Sequence, residues 1–342
     1  MDKDFPLVCI CIPTYNAAGT VRETLESILA QTYPNFVVHI SDNASTDRTI
    51  EIVSAMADSR VHIHQHEVNV GGEGNFNRCI QLAEGKYTVI FHADDIYEQD
   101  MVAKQVAFLE ANAEAGAVFT EASTIDEMGK RIGQICLPDE IESKCGLYDF
   151  NTMFKAVLRH SNFFICPSVM VRTPVYKQEI KSWLGERFKT SADLDVWLRI
   201  LLNHPVGYLK EQLMRYRISS DQWSAKVRLA TERADFFLVT DHYLAQEFVK
   251  SFLTATDMSN YRNLDRRDRV MRAVNIYITG YSRQANELIV DVFSLEALKF
   301  ALKSKQGVFV LLVGSYLKLL ELLRLNKIGK LSLSYMKNVT RK

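Results

Sequence analysis

The chain has 342 residues, of which 47% are hydrophobic and 24% charged, and its 41 Lys and Arg residues balance 41 Asp and Glu residues. This composition is typical of globular proteins and excludes disordered and fibrous classes. A net charge of zero argues against nucleic acid as the default partner. At roughly 100–200 residues per domain, the length predicts two domains, or one large α/β domain with an appendage.

The cysteines and the apolar segments of the chain predict where in the cell the protein is located. None of the six cysteines forms a CxxC pair, so in a chain of this length we interpret them as buried, reduced thiols of a cytosolic protein. The charged N-terminus lacks the apolar segment of a signal peptide. The uncharged stretch at residues 307–317 is shorter than the roughly 17–25 residues that a membrane-spanning helix needs. We therefore expect a cytoplasmic protein that does not cross a membrane.

Strand and helix patterns alternate in the first part of the chain. The predicted strands span residues 7–12, 36–41, 61–66, 87–92 and 117–122, and the predicted helices span residues 20–30, 46–57, 73–83 and 99–111. Continuous apolar strands in this rhythm predict an α/β fold with a mostly parallel sheet covered on both faces. Further on, we predict a strand at 165–172, a helix at 193–203 and only helices after about residue 225.

Polar side chains follow three of these strands: Pro-Thr-Tyr-Asn at 13–16, Asp-Asn at 42–43 and Asp-Asp at 94–95. Ligands of open α/β sheets bind at the carboxyl ends of the strands, so these groups are candidate site residues. The carboxylate pair at 94–95 suits a divalent cation that also binds substrate phosphate. The alternatives are that the pair caps the following helix and that Asp42 is a turn residue.

The order of five segments closely resembles family 2 glycosyltransferases of the GT-A fold. The segments are Pro-Thr-Tyr-Asn at 13–16, Ser-Asp-Asn-Ala-Ser-Thr-Asp at 41–47, Asn-Val-Gly at 69–71, His-Ala-Asp-Asp at 92–95 and Asp-Leu-Asp-Val-Trp-Leu-Arg at 193–199. The resemblance runs from about residue 6 to 224. It implies a GT-A nucleotide-sugar-binding domain at 1–224, with a nucleotide-binding half at 1–122 and an acceptor half at 123–224. A helical region at 225–342 follows.

The resemblance also implies roles for individual residues. The nucleotide pocket would be lined by Pro13, Thr14, Tyr15, Asn16 and Asn43, and closed by the 69–77 segment with Gly71 and Asn77. Asp42 would accept a hydrogen bond from the base imide, which favours uracil or thymine. Asp94, with help from Asp95, would bind Mn²⁺ or Mg²⁺ bridging the diphosphate, and Asp193 would be the general base.

The chemistry of these residue types is coherent. A departing nucleoside diphosphate gathers negative charge, which a bridging cation offsets. A sugar hydroxyl is a poor nucleophile near neutral pH, so a carboxylate on the opposite face must take its proton. One displacement then inverts the anomeric centre. The alternative role for Asp193 is to complement the dipole of its helix from the first turn.

Three positions depart from the family pattern. His92 replaces an Asp of the metal motif, where it either reaches the ribose or a phosphate or packs in the core. Ala192 replaces an acidic residue that often precedes the base, and Ser219 stands where a His is often found. These departures keep open a nucleotide-sugar-binding scaffold without turnover. A sugar-nucleotide pyrophosphorylase is a further alternative, although the chain lacks the Gly-rich basic loop that it needs.

Two other patterns have structural interpretations. The alternating His62, His64 and His66 indicate a half-exposed edge strand rather than a metal site, and Cys9 with Cys11 indicates core packing.

Residues 303–342 contain nine basic residues and one acidic residue. The predicted helix at 307–325 either packs on the catalytic domain or lies against an anionic membrane.

The sequence thus predicts an inverting, metal-dependent enzyme that moves a sugar from a nucleoside-diphosphate sugar, with UDP favoured. The acceptor is a glycan or a lipid-linked glycan, and the setting implied by the family is bacterial surface-polysaccharide assembly. Contact between 303–342 and an anionic membrane surface would bring the enzyme to such an acceptor.

Overall fold

The computed structural model describes residues 5–141, 146–219, 229–302 and 304–339. It divides the chain into two compact units, one formed by residues 1–156 with 162–219 and the other by residues 157–161 with 220–342. The domain boundary predicted at residue 224 lies outside the described residues, as do the basic residues Lys303, Arg341 and Lys342.

The first unit is built on one ten-stranded sheet. Its strands are β1 (Val8–Thr14), β2 (Phe36–Asp42), β3 (Val61–Gln65), β4 (Tyr87–Ile90), β5 (Ile96–Tyr97), β6 (Ala117–Ile125), β7 (Arg131–Ile135), β8 (Leu147–Tyr148), β9 (Met170–Arg172) and β10 (Val206–Arg217). The strand order is β3-β2-β1-β4-β9-β6-β10-β5, with β7 paired to β6 and β8 paired to β10.

The predicted α/β class is confirmed, but the sheet is more mixed than expected. The pairs β1–β2, β2–β3, β1–β4 and β6–β10 are parallel, and β9 lies antiparallel between β4 and β6. The strand predicted at 165–172 is limited to β9, since Cys166–Ser168 form a 3₁₀ turn. Pro167 in that turn has no N–H to donate to a ladder. Pro13 and Thr14, predicted to follow β1, are its last residues.

Five predicted helices of the first part of the chain are present: α1 (Val21–Leu29), α2 (Thr49–Ser54), α3 (Gly71–Leu82), α4 (Met101–Ala111) and α7 (Ala192–Asn203). The described residues before 204 also form α5 (Phe150–His160) and α6 (Gly185–Phe188), which were not predicted. In α1, Val21, Leu25 and Ile28 share one face and are fully buried, as their spacing predicts. Helix α3 packs against β1 and β2, and α4 against β6 and β10.

The part of the second unit that the structure describes is helical, as predicted. Its helices are α8 (Phe236–Leu244), α9 (Glu247–Phe252), α10 (Ala255–Thr279), α11 (Ser282–Leu288), α12 (Leu295–Ala301), α13 (Lys305–Leu322) and α14 (Asn326–Val339). The long helix α10 starts at a capping box formed by Thr254 and Asp257 and ends at Gly280 in the left-handed conformation. In the ranges described, no helix combines the length and the hydropathy needed to cross a membrane.

The edge strand and the core cysteines were predicted correctly. Among the strands of the described residues, β3 pairs with β2 alone, and it is mostly exposed. Two of its histidines have different surroundings: His62 is exposed, whereas His64 Nε2 lies 2.9 Å from His39 Nδ1. Cys9 and Cys11 on β1 are fully buried.

Candidate active site

The loop after β4 brings three potential metal ligands together. Donor atoms of His92, Asp94 and Asp95 all lie within 4.8 Å of one another. Helix α1 fixes the loop, because the Thr20 hydroxyl donates to the carbonyl of Ala93 at 2.8 Å and the Thr24 hydroxyl to that of Asp95 at 2.8 Å. The sequence predicted the two carboxylates here. It left the place of His92 open between a ligand contact and the core.

The donor set fits a divalent cation. His92 Nε2 and Asp95 Oδ2 are buried without a hydrogen-bond partner, and His92 Nδ1 lies 3.9 Å from Asp95 Oδ2. Burial lowers the pKa of His92 and raises the pKa of Asp95 well above its usual range. An imidazole kept neutral can act as a ligand, and a nearby cation would offset the cost of ionising a buried carboxyl.

Arg217, at the end of β10, holds the same loop from the other side. Its backbone N–H donates to Asp95 Oδ1 at 2.8 Å, and its Nε donates to the carbonyl of Asp94 at 2.8 Å. The buried guanidinium also donates to Glu23 at 2.7 Å and to the carbonyls of Asp126 and Glu127. The family pattern drew attention to Ser219 in this segment, and no role was predicted for Arg217. Strand β10 also contains Lys210, Glu211 and Arg215, so a further charged residue at its end gives no distinct local signal.

Replacing Arg217 with methionine should lower the free energy of unfolding by about 3 kcal/mol, because three backbone carbonyls and a carboxylate lose a charged donor. Urea denaturation measures this. Arg215→Met is the matched control, since Arg215 forms a surface ion pair with Glu98 at 2.9 Å. Losing such a pair should cost less than about 1 kcal/mol. Equal effects of the two substitutions would contradict the role given to Arg217.

Asp193 stands in the first turn of α7. Its Oδ1 accepts the N–H of Leu194 at 2.7 Å, and its Oδ2 accepts the side-chain N–H of Asn162 at 3.4 Å. Burial raises the pKa of Asp193 to about 6. Leu194, Trp197 and other apolar residues of α7 are fully buried and fix the helix. The preceding Ala192, where the family pattern often has an acid, is itself buried.

The carboxylates of the predicted metal site and of the predicted general base influence the same two side chains. Burial raises the pKa of the Tyr216 phenol, and the negative charges of Asp95, Asp94 and Asp193 raise it further. Burial also raises the pKa of the Cys166 thiol, and the charges of Asp193 and Asp95 raise it further. Both side chains therefore lie within electrostatic reach of carboxylates from the β4 loop and from α7.

Asp42, the residue predicted to contact the nucleobase, joins two strands of the sheet. The side chain is fully buried. Its Oδ1 accepts the hydroxyls of Thr14 at 3.0 Å and Ser45 at 2.5 Å, while Oδ2 accepts the N–H of Ser45 at 3.0 Å. Asp42 and the equally buried Thr14 thus join the ends of β1 and β2, and the contact between Asp42 and a base stays a prediction.

Asn43 is also buried and holds the predicted closing segment. Its Oδ1 accepts the N–H of Val70 at 3.0 Å and a guanidinium N–H of Arg78 at 3.0 Å. Its Nδ2 donates to Asn69 Oδ1 at 2.8 Å and to the carbonyl of Gly71 at 3.0 Å. Gly71 has a φ of +79°, which favours glycine.

The residues predicted to bind the nucleotide therefore differ in their solvent exposure. Tyr15, Asn16 and Gly71 are exposed, and Pro13 is half-buried, so these four can contact a ligand. The side-chain Oδ1 of Asn16 accepts the N–H of Thr46 at 2.8 Å, which fixes this loop.

Asn77, also predicted to bind the nucleotide, holds another part of the chain in place. Its Oδ1 accepts the N–H of Trp183 at 2.7 Å, and its Nδ2 donates to the carbonyl of Trp183 at 3.5 Å. The ring of Phe76 stacks on Trp183 with centroids 4.4 Å apart, and its edge meets His92 at 5.7 Å. Helix α3 thus links the β4 loop to the segment that leads into α7. No local pattern predicts a contact between residues 106 positions apart.

The sequence model described as "Glycosyl transferase family 2" matches residues 9–177. Residues 9–177 of this chain form a family 2 glycosyltransferase domain. The family and the enzyme class predicted from the sequence are thereby confirmed, and neither a pyrophosphorylase nor a scaffold is favoured by the match.

Curated relatives agree with this assignment. The putative glycosyltransferase EpsE of Bacillus subtilis (strain 168) is 28% identical over 272 residues, which cover 75% of this chain and 93% of that protein. An Escherichia coli protein, the UDP-Glc:alpha-D-GlcNAc-diphosphoundecaprenol beta-1,3-glucosyltransferase WfaP, is 35% identical over 104 residues, which cover 30% of this chain and 41% of that protein.

A solved structure is similar over most of the chain. S. aureus TarS 1–349 in complex with UDP-GlcNAc superposes with a TM-score of 0.59 at 17% identity, covering 90% of each chain. At this identity the likeness shows the fold alone. The predicted GT-A fold followed by a helical region is confirmed.

Proposed function

We propose that this family 2 enzyme transfers a glycosyl residue from a UDP-sugar to a hydroxyl group of a glycan or lipid-linked glycan, with inversion. The observation that carries the proposal is a series of ring contacts from the β4 loop to α7. Phe76 meets His92 at 5.7 Å and stacks on Trp183 at 4.4 Å, and Trp183 meets Trp197 of α7 at 6.0 Å. This series supports one space in which a carboxylate cluster faces the leaving diphosphate and a separate carboxylate faces the acceptor.

Asp193 is the general base of this proposal. It takes the proton of the acceptor hydroxyl as the new bond to the anomeric carbon forms and the bond to the diphosphate breaks. A pKa of about 6 suits this role, because the carboxylate is ionised at neutral pH and more basic than an ordinary aspartate. Since attack and departure occur on opposite faces of the sugar, a single displacement inverts the configuration.

His92, Asp94 and Asp95 would hold the divalent cation, Mn²⁺ or Mg²⁺. When bound there, it supplies a Lewis acid for the negative charge of the departing nucleoside diphosphate. The imidazole in the donor set favours Mn²⁺, because Mg²⁺ prefers oxygen ligands alone. This extends the predicted metal site, which was centred on Asp94.

The donor and acceptor classes draw support from similar proteins. TarS was solved with UDP-GlcNAc, and the name of WfaP gives UDP-Glc as donor and a diphosphoundecaprenol-linked sugar as acceptor. We place this reaction in the cytoplasm, in the assembly of a bacterial surface polysaccharide. Free thiols at Cys9, Cys11, Cys79, Cys136 and Cys166 are compatible with a reducing compartment.

A thermal-shift panel tests the donor class and the metal together. The chain is heated with UDP-, GDP-, dTDP- and CMP-sugars, each with and without Mn²⁺. We expect the largest stabilisation from a UDP-sugar with Mn²⁺, up to about 2.7 kcal/mol at a ligand concentration of about 100 times Kd. A larger shift with GDP- or CMP-sugars would overturn the nucleotide assignment.

The pH dependence of transfer should reflect Asp193. Because the protonated carboxyl cannot accept a proton, kcat should rise about tenfold per pH unit below pH 6 and level off above about pH 7. Initial rates at saturating donor and metal measure this limb, and UDP binding measured over the same range separates it from titration of the metal ligands. A flat profile between pH 5 and 7 would argue against Asp193 as the base.

A further inference from the structure

Two helices of the C-terminal unit expose large apolar side chains to solvent. On α12 and just after it, Leu295, Leu298 and Leu302 are exposed at helical spacing, with Leu302 at 88%. On α13, Leu312 at 67% and Leu322 at 79% belong to a second exposed stripe. We call these two stripes the α12–α13 surface; its residues are Leu295, Leu298, Leu302, Val308, Leu312, Leu319 and Leu322.

The two stripes adjoin. An open groove between the helices is lined by apolar side chains from both, namely Leu298, Ala301, Leu302, Val308, Leu311 and Leu312. Single exposed leucines are ordinary, but a contiguous apolar patch of this kind marks a binding surface.

The exposed stripe is not the face that α13 uses for folding. Val310, Val313, Leu317 and Leu320 lie on the opposite side of the helix and are buried in the core of this unit. A helix that folds onto one apolar face and still carries a second has an apolar surface that its own unit does not require.

The charges around this surface favour an anionic partner. The acidic side chains nearby are neutralised within the unit, since Glu296 pairs with Arg262 at 2.7 Å and Asp291 with Arg269 at 2.6 Å. Lys299 and Lys305, in contrast, are exposed beside the apolar stripes. A two-fold contact between copies of this surface would bring these lysines near their own equivalents, which disfavours self-association here.

We propose that the α12–α13 surface docks on a lipid bilayer that contains anionic headgroups. The leucines enter the boundary between headgroups and acyl chains, and Lys299 and Lys305 contact the headgroups. Docking gives the proposed transfer reaction a location for lipid-linked acceptors. Docking is measured by vesicle binding alone, so its test does not depend on whether the proposed transfer reaction is correct.

The test is co-sedimentation of the full chain with phosphatidylcholine vesicles, with and without phosphatidylglycerol. We expect binding to the anionic vesicles that weakens as salt rises. Leu302→Ser and Leu312→Ser should each lower the apparent affinity about tenfold. Met128→Ser is the matched control, because Met128 is equally exposed but lies on the turn between β6 and β7.

Two further measurements keep the result decisive. Thermal denaturation should show unchanged stability for all three variants, because the replaced side chains are exposed. Light scattering without vesicles should give the same mass for the wild type and for Leu312→Ser. The proposal is overturned if the wild type does not bind anionic vesicles at low salt, if Met128→Ser loses binding as the leucine variants do, or if Leu312→Ser dissociates an oligomer.

Discussion

Replacing Asp193 with asparagine should lower the rate constant of glycosyl transfer by about 10²–10⁴-fold, the usual contribution of a general base, and leave UDP-sugar affinity within about twofold. Asparagine keeps the shape of the side chain, and its oxygen can still accept the N–H of Leu194. What it loses is the ability to accept the acceptor's proton. Initial rates at saturating donor, with donor affinity from calorimetry, separate the two effects.

The alternative is that Asp193 only complements the dipole of α7. In that case Asp193→Asn would cost up to about 1 kcal/mol of stability and leave the rate unchanged. Glu186→Gln is a suitable control, because it removes an exposed carboxylate from the same part of the chain, in α6. Transfer at the wild-type rate by Asp193→Asn would place the base elsewhere.

Replacing Asp94 with alanine should remove the effect of Mn²⁺ on UDP binding and weaken UDP binding in its presence by about 10²-fold. The reason is that the metal supplies several kcal/mol of attraction for the diphosphate, and two remaining ligands hold it poorly. Titration calorimetry of UDP with and without Mn²⁺ measures both quantities.

Asp100→Ala is the control for this experiment. Asp100 lies at the start of α4 and pairs with Lys104 at 2.7 Å, so its loss removes a carboxylate without touching the ligand cluster. Binding of UDP to this variant should respond to Mn²⁺ as in the wild type. If Asp94→Ala retained the full response to the metal, the ligand assignment would be wrong.

Local sequence determined the outline of the fold and the position of the carboxylates. Apolar runs and helical spacings gave the strands and helices around the site, because burial of a face follows from the periodicity of its side chains. The pair at 94–95 comes directly after a predicted strand, and Asp193 opens a predicted helix, so both were found from chain order. The predictions missed the short strands β5, β7 and β8, and also the long strand β10, whose apolar pattern is interrupted by Lys210, Glu211 and Gln212.

Long-range contacts determine which polar side chains are already hydrogen-bonded within the protein. Asp42, Asn43 and Asn77 have residue types that suit ligand binding. Each of them nevertheless forms hydrogen bonds with backbone or side-chain groups that are far away along the chain. Arg217 came to light only through its contacts with the β4 loop. A polar atom has few hydrogen-bonding positions, and whether a neighbour or a ligand fills them depends on groups that folding brings together from far along the chain.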